Sequence, residues 1–500
     1  MNSDYDKFPA KIYSKTVLEP DFEIYKSYFY ENLFDINISH AIMLFEQKIL
    51  NKKETSKILS SLFLIHSNKS ILNKNYDGTF EDLFFLVEQE LTKNIGLDIA
   101  GKLHTGRSRN DMEHTMFRMQ LRLKLINLLN NFSNLCDNLI LRIKKGINEP
   151  VLLYTHGQPA QVSVFGHYLS AILEFVLRDM KRILYSLTEV NNCPMGSAAI
   201  TTSGFNLSRE RISQLLGFDD IVENSYGAIA NCDYITSAYS SVRLSCIHLG
   251  RFVQDLLYWT SFEVSQLDVP NGFVQISSIM PQKRNPVPLE HLRLKLSLAS
   301  GNAEQIISTM HNTPFADMND SERETQATGY KVFEKLQEIL PLLSEFINST
   351  KINKESVKNR VNSSLATITE LADTLVRKEK VSFRIAHSIS HEIAKKSTKL
   401  KKPLDKLNVK IVRDVFYKHV GRTLKLKDDD LKKSFTLENF VNVRNLEGGP
   451  AKSALKKSIV KYENELHTLN KKVKIIKKSI DNAKSTRIKL GIEFSKNGSL

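Results

Sequence analysis

The chain has 500 residues, of which 41% are hydrophobic and 25% charged, a composition typical of globular proteins. Its 20 glycines and 13 prolines exclude collagen-like and low-complexity classes. No apolar run approaches the ~18 residues that a membrane span needs. The N-terminal segment also lacks the apolar stretch of a secretory signal, so we expect a cytoplasmic protein without a membrane partner.

The positive charge is concentrated at the C-terminus. The chain carries a net charge of +15, and the last fifty residues hold 13 Lys and Arg against 4 Asp and Glu. Such a surplus of positive charge can bind nucleic acid, an anionic membrane or an acidic substrate, or it can lie on the solvated side of a helix. No aromatic residues interleave with the lysines to stack on bases, which argues against nucleic acid as a partner. Charge alone leaves the partner open.

Neither a metal site nor a nucleotide site is predicted. The four cysteines are far apart in the sequence and show no zinc-ligand spacing. No P-loop, dinucleotide fingerprint or H-E-x-x-H pattern occurs. We therefore expect reduced thiols, no metal and no cofactor. The cysteines are Cys136, Cys193, Cys232 and Cys246.

Long helices dominate the predicted elements. Residues 115–145 contain neither Pro nor Gly, and apolar side chains recur at three- and four-residue steps. Similar stripes cover 161–192 and 228–269, and a weaker one follows Leu289. Helices of this length pack as a bundle. The sequence therefore predicts an all-α fold, with a central bundle over 111–355 between helical caps at 1–110 and 356–500.

Polar loops precede these helices. Residues 101–111 contain two arginines, two hydroxyls, an amide and a histidine, a set that suits a carboxylate or phosphate but also a well-capped helix start. Residues 154–161 offer a threonine, a histidine and two amides, which can bind a polar ligand and move a proton. A lone histidine can equally be structural.

A third loop lies between two prolines. It contains Ser277, Ser278, Lys283, Arg284 and Asn285, and a turn signal precedes it. A mobile loop with a base and an anion clamp has this composition, and so does a plain exposed turn.

Taken together, the three loops resemble those of the fumarase/aspartase superfamily. The superfamily shares a loop of the form G-S-S-x-M-P-x-K-x-N-P, and this chain matches all of it except the glycine, which is Ile276. Within the superfamily the chain resembles the argininosuccinate lyase branch, and the similarity runs from about residue 35 to 455. The matching segments are GKLHTGRSRND, YTHGQPAQ, CPMGSAAITTSGFNLSRERISQLLGF, LADTLVRKEKVSFRIAH and LEGGPAKSAL.

The resemblance implies an all-α homotetramer with a central bundle of long helices and active sites assembled from three chains. It implies a small-molecule substrate, an N-substituted aspartate, from which fumarate is eliminated reversibly. Ser277 would be the base, although the sequence leaves Ser278 open, and His156 would act as an acid or through a water. Lys283 and Asn285 would bind the carboxylate on which charge develops. The fumarate half would be held by Ser108, Arg109, Asn110, Thr155 and Gln158.

The chain departs from the branch on the side of the leaving amine. Phe84 stands where the branch has a histidine, and 112–115 is unusual. In 313–323, the Tyr, Gln and Lys that bind substrate in the branch are not recognisable. Three hypotheses follow: an argininosuccinate lyase, a lyase for another N-substituted aspartate, or a catalytically silent structural homologue. Retention of the loop residues argues against the third.

Overall fold

The N-terminal region consists of six helices around an apolar core, in a computed structural model that describes residues 7–496. The first three helices follow one another closely, because π-helical turns at Ser14–Leu18 and Tyr25–Phe29 join them. Residues 1–6 and 497–500, which belong to the predicted caps, lie outside the described residues. The helices are α1 (Lys11–Tyr13), α2 (Glu19–Ile24), α3 (Tyr30–Glu46), α4 (Lys52–Asn68), α5 (Leu83–Ile95) and α6 (Leu97–Lys102).

Five long helices form the centre of the molecule and confirm the predicted bundle. Their apolar stripes meet in one large core, and neighbouring helices of the set pack along much of their lengths. Two short helices, α9 (Arg209–Leu216) and α10 (Gly227–Ala230), lie in the connections. The long helices are α7 (Arg109–Lys145), α8 (Phe165–Val190), α11 (Asp233–Thr260), α12 (Val287–Thr309) and α13 (Arg323–Ser349).

The described strands are short and form isolated pairs, so the fold is all-α as predicted. Antiparallel β1 (Pro150–Thr155) and β2 (Gln158–Val164) form a hairpin between α7 and α8. β3 (Asn192–Cys193) runs parallel to β4 (Asp220–Ile221). The remaining pairs are antiparallel: β5 (Leu267–Asp268) with β8 (Lys351–Ile352), and β6 (Gln275–Ile276) with β7 (Arg284–Asn285).

Two predicted helices are shorter than expected. The helix predicted from residue 161 begins at Phe165, because the preceding residues belong to strand β2, where Val162 and Val164 are buried. Branched valines suit a strand, so the apolar positions there follow the sheet and not the helix. The helix predicted over 228–269 ends at Thr260, and the chain beyond it turns to pair through β5.

The C-terminal region has its own apolar core, and then the chain returns to the bundle. The basic tail forms one helix of 45 residues that packs along α4, α8, α7, α9 and α3. Its apolar side chains face inward, which leaves most lysines exposed. Within 7–496 no helix is both long and apolar enough to cross a membrane. The helices are α14 (Lys354–Ser364), α15 (Ile368–Glu379), α16 (Phe383–Leu400), α17 (Val409–Val420), α18 (Asp428–Lys433), α19 (Leu437–Asn442) and α20 (Lys452–Lys496).

Candidate active site

The loop 101–111 ends in a capping box at the start of α7. Ser108 is the N-cap, and its backbone N–H donates to Asp111 at 3.0 Å. The Asp111 carboxylate is fully buried and also accepts the N–H groups of Gly196 and Ala198, each at 2.9 Å. Gly196 has a φ of +84°, and a Cβ there would lie 2.6 Å from Cγ of Arg209, so only glycine fits. Asp111 thus joins the helix start to the 193–206 segment.

Arg109 and Asn110 lie directly after the cap, and both contact carboxylates of their own chain. Arg109 Nη1 donates to Glu81 at 3.0 Å and to Asp82 at 2.9 Å. These carboxylates raise the pKa of Arg109 against the opposing effect of its burial. Asn110 Nδ2 donates to Asp317 Oδ2 at 2.5 Å. The structure therefore brings these two predicted fumarate ligands together beside an acidic surface.

That surface belongs to a cavity of about 370 Å³. Arg109 lies at its wall with Arg323, whose Nε donates to Asp21 at 2.8 Å and whose Nη1 donates to Glu113 at 2.5 Å. Burial raises the pKa of the Glu113 carboxyl, while Arg323 opposes that shift. Carboxylates greatly outnumber cations on the wall. The acidic residues are Asp21, Glu81, Asp82, Glu113, Asp317, Glu322 and Glu324.

Phe84 lines a separate, smaller cavity together with His104. Its side chain is buried and its ring lies 5.1 Å from the ring of His104. Burial lowers the pKa of His104 to about 4, so this imidazole is neutral near pH 7. Phe84 is not among the residues that line the acidic cavity. The aromatic residue therefore serves packing at the point where the branch has a histidine.

The second polar segment is the tip of the β1–β2 hairpin, not the plain loop before a helix that the sequence predicted. Thr155 and Gln158 pair across the turn, and His156 and Gly157 occupy its two central positions with φ of +54° and +72°. Positive φ at both positions is typical of a type I′ turn, which matches the twist of the strands. All four residues are exposed, and within 7–496 the side chains of Thr155, His156 and Gln158 have no hydrogen-bond partner. The hairpin therefore holds His156 outward.

The third segment is a turn between β6 and β7. Ser277 Oγ accepts the backbone N–H of Met280 at 3.0 Å and that of Ile279 at 3.3 Å. Ser278 is exposed and has no such bonds in the described chain. Lys283 is exposed and Asn285 is half-buried. Of the two serines, only Ser277 is held by N–H donors.

Arg284 anchors this turn to the chain that leads into it. Its guanidinium donates to the Asn271 side chain at 2.6 Å and to the Val269 carbonyl at 2.8 Å. Ile276, at the position of the family glycine, has 77% of its surface exposed. The isoleucine therefore has room at the base of the turn.

The three segments do not meet within one chain. Helix α7 has 37 residues, so about 54 Å separate Arg109 from Lys145, after which the hairpin begins. The buried side chain of Gln266 bonds both backbone groups of Leu152, at 2.7 and 3.2 Å, and so ties the chain before the Ser277 turn to the hairpin strand. No hairpin residue and no residue of 275–285 lines the acidic cavity. Ser108, Arg109 and Asn110 are together, whereas His156 and Ser277 are apart from them.

Several cavity residues are not predicted as site residues from the sequence. Glu113 and Asp317 lie in segments where the chain departs from the family pattern. Asp21 lies in helix α2, far from α7 in the sequence, and no local pattern around it indicates a place in the site. Within 7–496 no three His, Cys, Asp or Glu side chains are placed to hold a metal ion together.

Comparison with solved structures defines the class of protein. A crystal structure of EDDS lyase in complex with formate matches with a TM-score of 0.83 and 26% identity, covering 96% of each chain. A class II fumarase from Schistosoma mansoni, at 17% identity, shares the fold with a TM-score of 0.64, covering 84% of this chain and 91% of the fumarase. The long-helix bundle is therefore the fold of the fumarase/aspartase-superfamily lyases.

Sequence comparison identifies the branch. A lyase family matches residues 52–301, and the argininosuccinate lyase C-terminal family matches 365–442. Argininosuccinate lyase 2 of Agrobacterium fabrum is 43% identical over 93% of this chain and 92% of its own length. The argininosuccinate lyase of Methanococcus aeolicus is 33% identical over 93% and 94%. The chain belongs to the argininosuccinate lyase family and is a C–N lyase.

Proposed function

We propose that this enzyme cleaves argininosuccinate reversibly to arginine and fumarate, and so serves arginine biosynthesis. The observation that carries the proposal is the 43% identity to an argininosuccinate lyase over nearly the whole chain. The match to the argininosuccinate lyase C-terminal family supports it independently. Elimination from a different N-substituted aspartate is the second candidate, because the altered segment 313–323 lines the cavity beside Asn110.

The proposed base is Ser277. The reaction removes a weakly acidic proton from Cβ, the carbon adjacent to the one that bears the leaving nitrogen. Serine is a poor base for this step unless its alkoxide is stabilised. The N–H groups of Ile279 and Met280 already point at Ser277 Oγ and would stabilise that alkoxide. Lys283 and Asn285 would bind the substrate carboxylate on which negative charge develops.

His156 is the proposed acid for the leaving nitrogen, directly or through a water. An imidazole can deliver a proton near neutral pH, and at the hairpin tip this one has no hydrogen-bond partner among residues 7–496. Thr155 and Gln158 on the same tip, with Ser108, Arg109 and Asn110 at the start of α7, would hold the fumarate half. Arg109 would exchange part of its contact with Glu81 and Asp82 for the substrate carboxylate.

Such a site needs more than one chain. The start of α7 and the base of the hairpin lie at opposite ends of a helix of about 54 Å. We therefore propose a homotetramer in which each active site takes one polar segment from each of three chains. The exposed apolar side chains along α11 and α12, such as Ile247 and Leu298, support contacts between bundles.

We also propose the division of the chain into an N-terminal region 1–110, a bundle 111–355 and a C-terminal region 356–500. Three apolar cores support this division, although the N-terminal core also includes bundle residues such as Met116, Cys193 and Leu215, and α20 returns to the bundle. We propose a cytoplasmic location because all four cysteines are free thiols, three of them buried, and thiols stay reduced in the cytosol.

The first test is fumarate release from argininosuccinate by the purified enzyme, followed by ultraviolet absorbance. The Ser277→Ala variant, prepared in parallel, controls for contaminating lyase activity. Rapid release by the unaltered enzyme alone supports the proposal. If it releases none but consumes fumarate when other amines are supplied, the second candidate replaces the first. If fumarate is neither released nor consumed, the structural homologue is the remaining hypothesis.

A further inference from the structure

A further cavity, of about 340 Å³, lies beside the tip of the β1–β2 hairpin. We call it the hairpin cavity. Gly157 and Pro159 of the tip line it, together with residues around the end of α11 and residues of α14. Gly157 directly follows His156, so the cavity begins one residue away from the proposed acid. It shares no lining residue with the acidic cavity beside Asn110.

Arg360 presents an unpaired guanidinium to the hairpin cavity. Within 7–496 its side chain donates no hydrogen bond and forms no ion pair. The Nε atom is buried, whereas the residue as a whole is only half-buried, so the accessible nitrogens are the two at the end of the side chain. A guanidinium whose terminal nitrogens are free at a cavity is suited to a carboxylate or a phosphate.

Glu263 gives the same cavity the opposite charge. It is exposed, lies just beyond the end of α11, and within 7–496 its side chain has neither a hydrogen-bond partner nor an ion pair, Arg360 included. The hydroxyl groups of Tyr154 and Tyr258, whose rings lie edge to face at 5.3 Å, have no hydrogen-bond partner in that range either. A cation and an anion that line one cavity without meeting suit a ligand that carries both charges. The head group of an α-amino acid is such a ligand.

The acidic cavity provides no comparable place for the carboxylate of an amino acid. Its two guanidinium groups are both engaged. All three nitrogens of Arg323 contact carboxylates. Arg109 is held by two carboxylates, and the proposed function assigns it to the fumarate half. A carboxylate at the far end of the leaving amine would therefore meet acidic groups there without a free guanidinium of this chain.

We propose that the hairpin cavity binds the α-amino acid head group of the arginine half of the substrate, with the carboxylate on Arg360 and the ammonium on Glu263. This inference rests on the proposed function and adds two specificity residues to it. In an extended arginine the α-carbon lies roughly 7 Å from the guanidine nitrogen that leaves fumarate, at about 1.2 Å per bond. A nitrogen that receives its proton from His156 therefore has its head group within reach of the cavity that begins at Gly157.

The test measures the addition of arginine to fumarate, with fumarate loss followed by absorbance, and obtains a separate KM for each compound. Arg360→Gln and Glu263→Gln should each raise the KM for arginine by about tenfold or more, because each removes one charged partner of the head group. The KM for fumarate should stay unchanged in both. Arg360→Lys keeps the charge but loses the two-nitrogen fork, so its KM for arginine should lie between those of the unaltered enzyme and Arg360→Gln. Lys358→Gln, which removes an exposed charge of α14 outside the cavity, is the matched control and should change neither KM.

Three results would overturn this inference while leaving the proposed function intact. The first is an unchanged KM for arginine in Arg360→Gln or in Glu263→Gln. The second is an equal rise of both KM values, which would mean that these residues support the hairpin, bind fumarate or contact another chain. The third is the same effect in Lys358→Gln, which would show a response to net charge alone. If the unaltered enzyme neither cleaves argininosuccinate nor joins arginine to fumarate, the proposed function fails, and this inference fails with it.

Discussion

The backbone N–H of Met280 donates to the Ser277 hydroxyl oxygen at 3.0 Å, across a tight turn of four residues. The N–H of Ile279 points at the same oxygen from 3.3 Å. The exposed neighbour Ser278 has no such donors in the described chain. An alkoxide is stabilised by N–H donors, so this relationship favours Ser277 over Ser278 as the base.

Ser277→Ala should therefore abolish turnover, while Ser278→Ala should keep most of it. The alanine removes the proposed base together with the acceptor of the Ile279 and Met280 N–H groups, while the β6–β7 pairing and the contacts of Arg284 still hold the turn. Fumarate release reports activity, and size-exclusion chromatography reports whether both variants keep the assembly of the unaltered enzyme. Loss of activity in Ser278→Ala with activity retained in Ser277→Ala would exchange the two roles.

His156→Asn should lower kcat by about 10²–10⁴-fold, the range for a positioned acid or base. Asparagine tolerates the positive φ that this turn position requires, so the hairpin should keep its shape. The measurement is a steady-state comparison of kcat and KM. A rise in KM with unchanged kcat would show that His156 only binds substrate.

Mixed assemblies test whether sites are shared between chains. Asn110→Ala and Ser277→Ala alter groups separated by much of the length of α7, and each alone should be inactive. If a site draws these two residues from different chains, mixing the variants under conditions that exchange subunits should restore part of the activity. Activity that stays absent, with exchange verified by mass spectrometry, would place both residues of a site in one chain.

The contacts of Arg487 indicate that this part of the basic helix α20 stabilises the fold. Its buried guanidinium donates to the Leu215 carbonyl at 2.7 Å and pairs with Asp35 at 2.5 Å, fixing α20 to the N-terminal region. Arg487→Ala should lower the free energy of unfolding by about 2–4 kcal/mol, because it leaves both partners unpaired. The exposed Lys489→Ala should change it by less than about 0.5 kcal/mol. Chemical denaturation measures both, and equal effects would contradict the role of Arg487.

His104 should make stability depend on pH. Burial lowers its pKa to about 4 in the folded state, whereas an unfolded histidine titrates near 6.5. The unfolded chain therefore binds the proton first, and stability falls as the pH drops from about 6.5 towards 4. His104→Gln should make the thermal midpoint less sensitive over this range, while the exposed His467→Gln should not. Identical pH profiles for all three proteins would refute the effect.

Salt dependence tests the interpretation of the exposed lysines on α20. If they are a solvated face, the enzyme should not bind duplex DNA even at low salt, when electrostatic binding is strongest. Fluorescence anisotropy with a labelled duplex measures this. Tight binding that weakens steeply with salt would instead make the helix a nucleic-acid surface.

The sequence by itself determined the fold class and the placement of the polar segments. Periodicity sufficed for α7, since its apolar stripe runs without Pro or Gly from 115 to 145. Periodicity predicted the wrong element at 161–164, because a short apolar run fits the helical period and the strand period alike. The two buried valines there belong to strand β2. The segments around Arg109, His156 and Ser277 were found because local composition marks them.

Only the tertiary structure decided what surrounds those segments. The contacts of Arg323 with Asp21 and Glu113, and of Asn110 with Asp317, join residues up to 302 positions apart, and no local pattern encodes such pairs. The separation of Arg109 from the hairpin likewise follows from the straight length of α7 and not from sequence distance. Helix propensity acts between neighbours along the chain, whereas the charge and shape of a cavity arise from side chains that packing brings together.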